Sequence, residues 1–192
     1  MPRLFIAVNI SDAIQHHIFV FQDELREKIK GVTWVKKNAL HLTLKFLGEV
    51  SEENMAKLSE ELAALGEKNS SFAMEIKGTG VFPNWKAVKV FWAGVEQGAQ
   101  QLRDLSQELE QRLAGLGCAK EQKDFNPHLT LGRIREHQGV PQQKTSILQA
   151  YFNQKKDFSF GVQKTAGLTL MQSTLTPEGA VYKQVQSFNL KA

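Results

Sequence analysis

Histidine and threonine recur with the same spacing at two places, His41-Leu42-Thr43-Leu44 and His128-Leu129-Thr130-Leu131. On an extended strand alternate side chains share a face, so His41 and Thr43 point one way and Leu42 and Leu44 the other. Imidazole, with an unperturbed pKa of about 6.5, both takes and gives protons near neutrality. Two imidazoles flanked by hydroxyls suit phosphodiester hydrolysis. One removes a proton from water, the other protonates the departing alkoxide, and hydroxyls and cations stabilise charge on the non-bridging oxygens. A lone histidine on an apolar strand is ordinarily a hydrogen-bonded core residue. The second copy shifts the reading to proton transfer, which needs both partners.

Competing chemistries lack their residues. Each motif offers one good metal ligand and no Asp or Glu, a poor zinc set, so no metal is expected. There is no Gly-x-Ser-x-Gly, and Cys118 is the one cysteine, which excludes an intramolecular disulfide and a cysteine zinc site.

Basic residues flank both motifs: Lys36, Lys37 and Lys45 beside the first, and Lys120, Lys123, Arg133 and Arg135 beside the second. By strand alternation Lys45 shares the face of His41 and Thr43 and is expected to reach the site. Arg133 has the opposite parity to His128 and Thr130 and joins them only if the strand ends or bulges at Gly132. Trp34, Phe46, Phe82, Trp85 and Phe125 could stack on a base. Phe125, just upstream of the second motif, is the preferred one, and core packing is the default for most of the others.

The histidines stand 87 residues apart, and other landmarks recur at 86 or 87: Phe5 and Ala7 with Phe91 and Ala93, Phe72, Met74 and Ile76 with Phe158, Phe160 and Val162, and Gly80 with Gly167. The chain reads as a diverged duplication, too long in period for a solenoid. In the first half a strand at 3–9 precedes a helix capped by Ser11, with Ile14, Ile18, Phe21, Leu25 and Ile29 on one face. Strands at 33–36 and 40–46 follow, then a helix from Ser51 stopped by Gly66, and a strand at 71–78. The second half repeats this β-α-β-β-α-β order: a strand at 88–95, a leucine-rich helix ended by Gly117, strands at 119–123 and 128–133, a helix after Pro141 and a strand at 158–164. Strands at 167–173 and 181–190 close the chain around Thr176-Pro177-Glu178-Gly179.

Each half is therefore expected to be ferredoxin-like, with helices on one face of a mainly antiparallel sheet. The fold class is α+β: residues 1–192 form one bilobed domain whose two sheets turn their free faces to a central groove, with the helices outside. His41 and His128 then face each other across that groove.

Composition is that of a soluble globular chain, at 42% hydrophobic and 23% charged residues, with no low-complexity segment. Met1–Ile10 is too short and interrupted to span a membrane, and Arg3 leads into an alternating strand rather than a signal-peptide core, so a cytoplasmic protein without membrane association is expected. A formal charge of +4 favours polyanions only mildly and does not suit a duplex DNA binder.

The two motifs and their flanks resemble the 2H phosphoesterase superfamily, and within it the RNA 2′,3′-cyclic phosphodiesterases, the bacterial and archaeal 2′-5′ RNA ligase branch. The likeness is carried by Arg3-Leu4-Phe5-Ile6-Ala7, Trp34-Val35, His41 to Gly48, Gly80-Val81-Phe82-Pro83, Phe125 to Arg133, and Gly179 with Tyr182. The resemblance implies a bilobed fold and a substrate, RNA or a nucleotide ending in a 2′,3′-cyclic phosphate, opened to a 2′-phosphate without cofactor. Some members join RNA ends through a 2′-5′ bond in the reverse direction. It further implies His41 as general acid on the leaving 3′ oxygen, His128 as general base on water, Thr43 and Thr130 as donors to phosphate oxygens, and Arg133 as a positive charge. A monomer is expected. Two positions depart from the pattern: Lys89 stands where arginine is common, and Gly132 where alanine is usual. A non-catalytic RNA-end binding module, or a phosphodiesterase acting on a small cyclic phosphate such as an ADP-ribose derivative, would carry the same motifs.

Overall fold

In the computed structural model, which describes residues 3–118, 121, 124–134, 142–176 and 179–192, the chain runs β1 (Arg3–Asn9), α1 (Asp12–Lys28), β2 (Val32–Trp34), β3 (His41–Glu49), α2 (Glu52–Lys68), β4 (Phe72–Phe82) and β5 (Val90–Val95). It continues through α3 (Ala99–Leu113), β6 (His128–Ile134), α4 (Gln142–Gln154), β7 (Ser159–Thr165), β8 (Gly167–Thr176) and β9 (Gly179–Asn189). Most of the strand expected at 119–123, the turn residues Pro177 and Glu178, and Lys120, Lys123, Arg135 and Pro141 lie outside the described residues. Helical spacing of apolar residues gives α1 a buried stripe of Ile14, Ile18, Phe21 and Leu25, and α3 one of Leu102, Leu105, Leu109 and Leu113.

The strands form two antiparallel sheets, ordered β3-β1-β8-β9 and β2-β6-β5-β4-β7. Each sheet buries one face against helices: α3 on β3 and α2 on β9 in the first, α1 on β7 and α4 on β4 in the second. β3 lies against β6 where the sheets meet. The α+β class, paired sheets and outer helices match the expectation.

The halves, however, are not self-contained units. The β4–β5 hairpin carries β4 into the second sheet, because antiparallel neighbours joined by a short connection pair with each other. The β8–β9 hairpin completes the first sheet beside β1. The helix that follows β1 covers the second sheet and the helix that follows β5 reaches the first, so the two halves interlock.

The repeat also shifts by one residue. β1 pairs Phe5 with Phe46 and Asn9 with His41, and β5 pairs Val90 with Arg133 and Gly94 with His128. Structural equivalents on these strands are thus 85 residues apart, and matching Phe5 to Phe91 puts opposite faces together. Phe72–Ile76 lie on β4 and Phe160 and Val162 on β7, neighbours in one sheet, with Phe158 just ahead of β7.

Helix α2 does not stop at Gly66 but runs to Lys68. Gly66 is there for close approach: a Cβ would lie 2.4 Å from the Asn189 carbonyl oxygen of β9. Beside it the Lys191 N–H donates to the carbonyls of Gly66 and Asn69. Gly66→Ala should lower unfolding free energy by about 1–3 kcal/mol through backbone overpacking, measured by denaturant titration, with little effect at the distant groove.

Candidate functional site

The motif strands carry matching irregularities. Along β1–β3, Ala7 faces Thr43 and Ile6 faces Lys45, so Leu44 is skipped. Along β5–β6, Trp92 faces Thr130 and Phe91 faces Gly132, so Leu131 is skipped. Each is a β-bulge, and an extra residue reverses the alternation of the side chains that follow it; on β3 a second shift, which skips Leu47, ends the reversal after Phe46.

The first bulge corrects the expectation for Lys45. Past Leu44 the lysine turns toward the helices, where it is 4% exposed with Nζ 2.6 Å from Glu110 Oε1 on α3. Phe46 takes the side of His41 and Thr43 instead, 62% exposed with its ring 6.0 Å from Phe5. The second bulge brings Arg133 onto the face of His128 and Thr130, through a break at Leu131 rather than Gly132. Gly132 faces Val32 and Trp34. Phe46 and Arg133 thus occupy equivalent positions, one apolar and one cationic.

The two histidines open their strands, each two residues after a backbone carbonyl that acts on its ring. His128 Nδ1 is 2.7 Å from the Asn126 carbonyl, two residues upstream, and the Ala39 carbonyl, two residues before His41, favours the cation of that ring. A short 3-10 turn over Lys37–Ala39 presents the first carbonyl. Pro127, which keeps Asn126 extended, presents the second. With Nδ1 held by a carbonyl, Nε2 of His128 is left for proton exchange.

Aromatic rings pack both imidazoles. His41 lies 4.8 Å from Phe5 and 4.8 Å, edge-on, from Tyr182 of β9. His128 meets Phe82 edge-on at 5.0 Å, and Phe82 in turn leans on Trp92. Burial pushes the His41 pKa down to about 4 against the opposing pull of the Ala39 carbonyl. Burial also lowers that of His128, opposed by the Asn126 carbonyl and assisted by the Arg133 charge.

The other aromatics have structural duties. Phe125, the preferred stacking candidate, is partly buried against the main core, as Trp34 and Trp85 are. Trp34 stacks on Phe91 and Trp85 meets Phe152 edge-on. Lys89 is exposed next to Val90, the partner of Arg133. Sequence reasoning did not single out Phe5 and Tyr182 as site residues. Their signal was their place in the segments that carry the family likeness. Among the described residues, no three His, Cys, Asp or Glu side chains converge as a metal site would need, and no helix is long and apolar enough to cross a membrane.

Residues 2–190 match the family model for the AKAP7 2′5′ RNA ligase-like domain. The chain is 33% identical to an RNA 2′,3′-cyclic phosphodiesterase of Methanocaldococcus jannaschii over 97% of its own length and 99% of the relative's. It is 34% identical to one of Archaeoglobus fulgidus with the same coverage. The fold superposes on TT0787 of Thermus thermophilus with a TM-score of 0.82 at 29% identity, covering 98% of each chain. On E. coli LigT complexed with 3′-AMP the TM-score is 0.77 at 24% identity, covering 100% of this chain and 99% of that one, a likeness of fold. By motif, architecture and full-length similarity, the chain belongs to the 2H phosphoesterases, in the family of the RNA 2′,3′-cyclic phosphodiesterases.

Proposed function

We propose that this chain hydrolyses the 2′,3′-cyclic phosphate of an RNA end or nucleotide to a 2′-phosphate, working as one bilobed domain with His41 and His128 as its proton-transfer pair. The observation that carries this reading is the packing of β3 against β6, the two His-x-Thr strands, each opened by its histidine and followed by a bulge one residue past its threonine. The names of the full-length relatives agree with it.

His128 accepts a proton from water as the water oxygen bonds to phosphorus. The phosphorus–O3′ bond breaks and protonated His41 gives its proton to O3′. Thr43 and Thr130 donate to the non-bridging oxygens, and Arg133 balances their charge. His41, neutral at pH 7 in the free protein because burial disfavours its cation, is protonated when the phosphate anion supplies the counter-charge. Exposed Phe46 offers a ring for the terminal base.

The pH dependence tests this arrangement. Catalysis needs one imidazole neutral and one charged, so kcat/KM should be bell-shaped. Both free-protein pKa values are lowered, so the optimum should fall below about pH 6.5, the ordinary imidazole value. Above the higher apparent pKa the rate should drop about tenfold per pH unit. Activity should persist in excess chelator. A flat profile, an optimum in the alkaline range or loss in chelator would contradict the proposal.

A further inference from the structure

Few polar side chains are buried among the described residues: Gln22, Lys45, Ser106, Thr165 and Thr169. Gln22, Lys45 and Ser106 gather at the two bulges. Gln22, fully buried in the apolar stripe of α1, donates through Nε2 to the Leu131 carbonyl at 2.8 Å and the Val35 carbonyl at 3.2 Å. Ser106, 5% exposed on α3, donates through Oγ to the Leu44 carbonyl at 3.2 Å. One helical turn on from Ser106, Glu110 holds Lys45, the residue after the bulge.

Leu44 and Leu131 are the skipped residues of the two motif strands. A bulge disturbs the ladder, and buried carbonyls need donors. The Leu131 carbonyl accepts the Val35 N–H at 2.9 Å, and Gln22 adds a second donor that ties it to the Val35 carbonyl. In both lobes the side-chain donor comes from the helix of the opposite half: α1 of the first half reaches β6, and α3 of the second half reaches β3.

Given the phosphodiesterase reading above, we propose that Gln22 and Ser106 are positioning residues that lock the two bulges and so fix the groove face of each motif strand. If a bulge relaxed toward regular alternation, Arg133 would turn from the His128 face and Phe46 from the His41 face, and the strand segments bearing Thr130 and Thr43 would shift. Each active strand is thus held by the other half of the duplicated chain, and neither motif is complete without the partner lobe.

Steady-state kinetics on a 2′,3′-cyclic nucleotide and backbone amide NMR test this together. Gln22→Met and Ser106→Ala should each lower kcat by about 10- to 100-fold with a smaller change in KM, whereas Ser106→Thr, which keeps the hydroxyl, should stay within about threefold of the parent. Leu58→Val, in the core on α2, should lower Tm without changing kcat. Amide shifts should move at 42–46 in Ser106→Ala and at 129–134 in Gln22→Met, each leaving the other strand unchanged.

Full kcat in both variants, or shifts confined to α1 and α3, would overturn the proposal. So would a kcat loss reproduced by Leu58→Val at equal loss of Tm. If the parent protein turns over no cyclic phosphate, the phosphodiesterase reading fails, and the strand-specific shifts alone decide whether the clamps hold the bulges.

Discussion

Replacing either His41 or His128 by alanine should lower turnover of a 2′,3′-cyclic phosphate by about 10²- to 10⁴-fold, because each change removes one proton transfer from the transition state. The double variant should lose far less than the product of the two single effects, since groups that act as a unit are strongly non-additive. Binding of a 2′-nucleotide product should survive in both single variants through Thr43, Thr130 and Arg133. The rings are only partly buried, so unaltered circular dichroism would separate chemistry from misfolding. A variant that keeps near-parent kcat would remove that histidine from the mechanism.

The second large effect is expected at Gly80, which carries no functional group. Gly80 faces Trp92, which faces Thr130, in adjacent strands of the second sheet. The indole lies so close across Gly80 that a Cβ would stand 2.2 Å from its ring. The same indole supports Phe82, whose ring meets His128 edge-on. Gly80→Ala must displace a rigid ring, so it should cost about 1–3 kcal/mol of stability, read by thermal or denaturant unfolding. It should also lower kcat/KM roughly tenfold or more by disturbing His128. Stability loss with full activity would show that the Trp92–Phe82 support does not reach the catalytic ring.

Much of this site was legible in the sequence because its determinants are local. The His-x-Thr spacing fixes which residues share a face, the leucines between them mark the buried side, and the duplication announces a partner strand. Leu42, Leu44, Leu129 and Leu131 are indeed core residues.

What strict alternation missed turns on the bulges. Leucines 44 and 131 look like any other strand leucines, and the side chains that bond their carbonyls, Ser106 and Gln22, lie 62 and 109 residues away in sequence. Alternation alone therefore put Lys45 in the groove and made Arg133 conditional on a break, whereas the structure inverts both strands beyond the skipped residue. The one-residue shift between Phe5 and Phe91 has a similar origin, since strand pairing rather than residue likeness determines equivalence. Exchange of β4 and of helices between halves is likewise invisible locally, because each segment has the same pattern whichever sheet it joins.

The most direct test of the central claim follows the phosphate itself. An RNA ending in a 2′,3′-cyclic phosphate, incubated with the protein in excess chelator and followed by phosphorus NMR, should give a terminal 2′-phosphate. Neither His41→Ala nor His128→Ala should give appreciable product over the same interval. An intact cyclic phosphate with the parent protein, a 3′-phosphate product, or undiminished turnover by both variants would contradict the account.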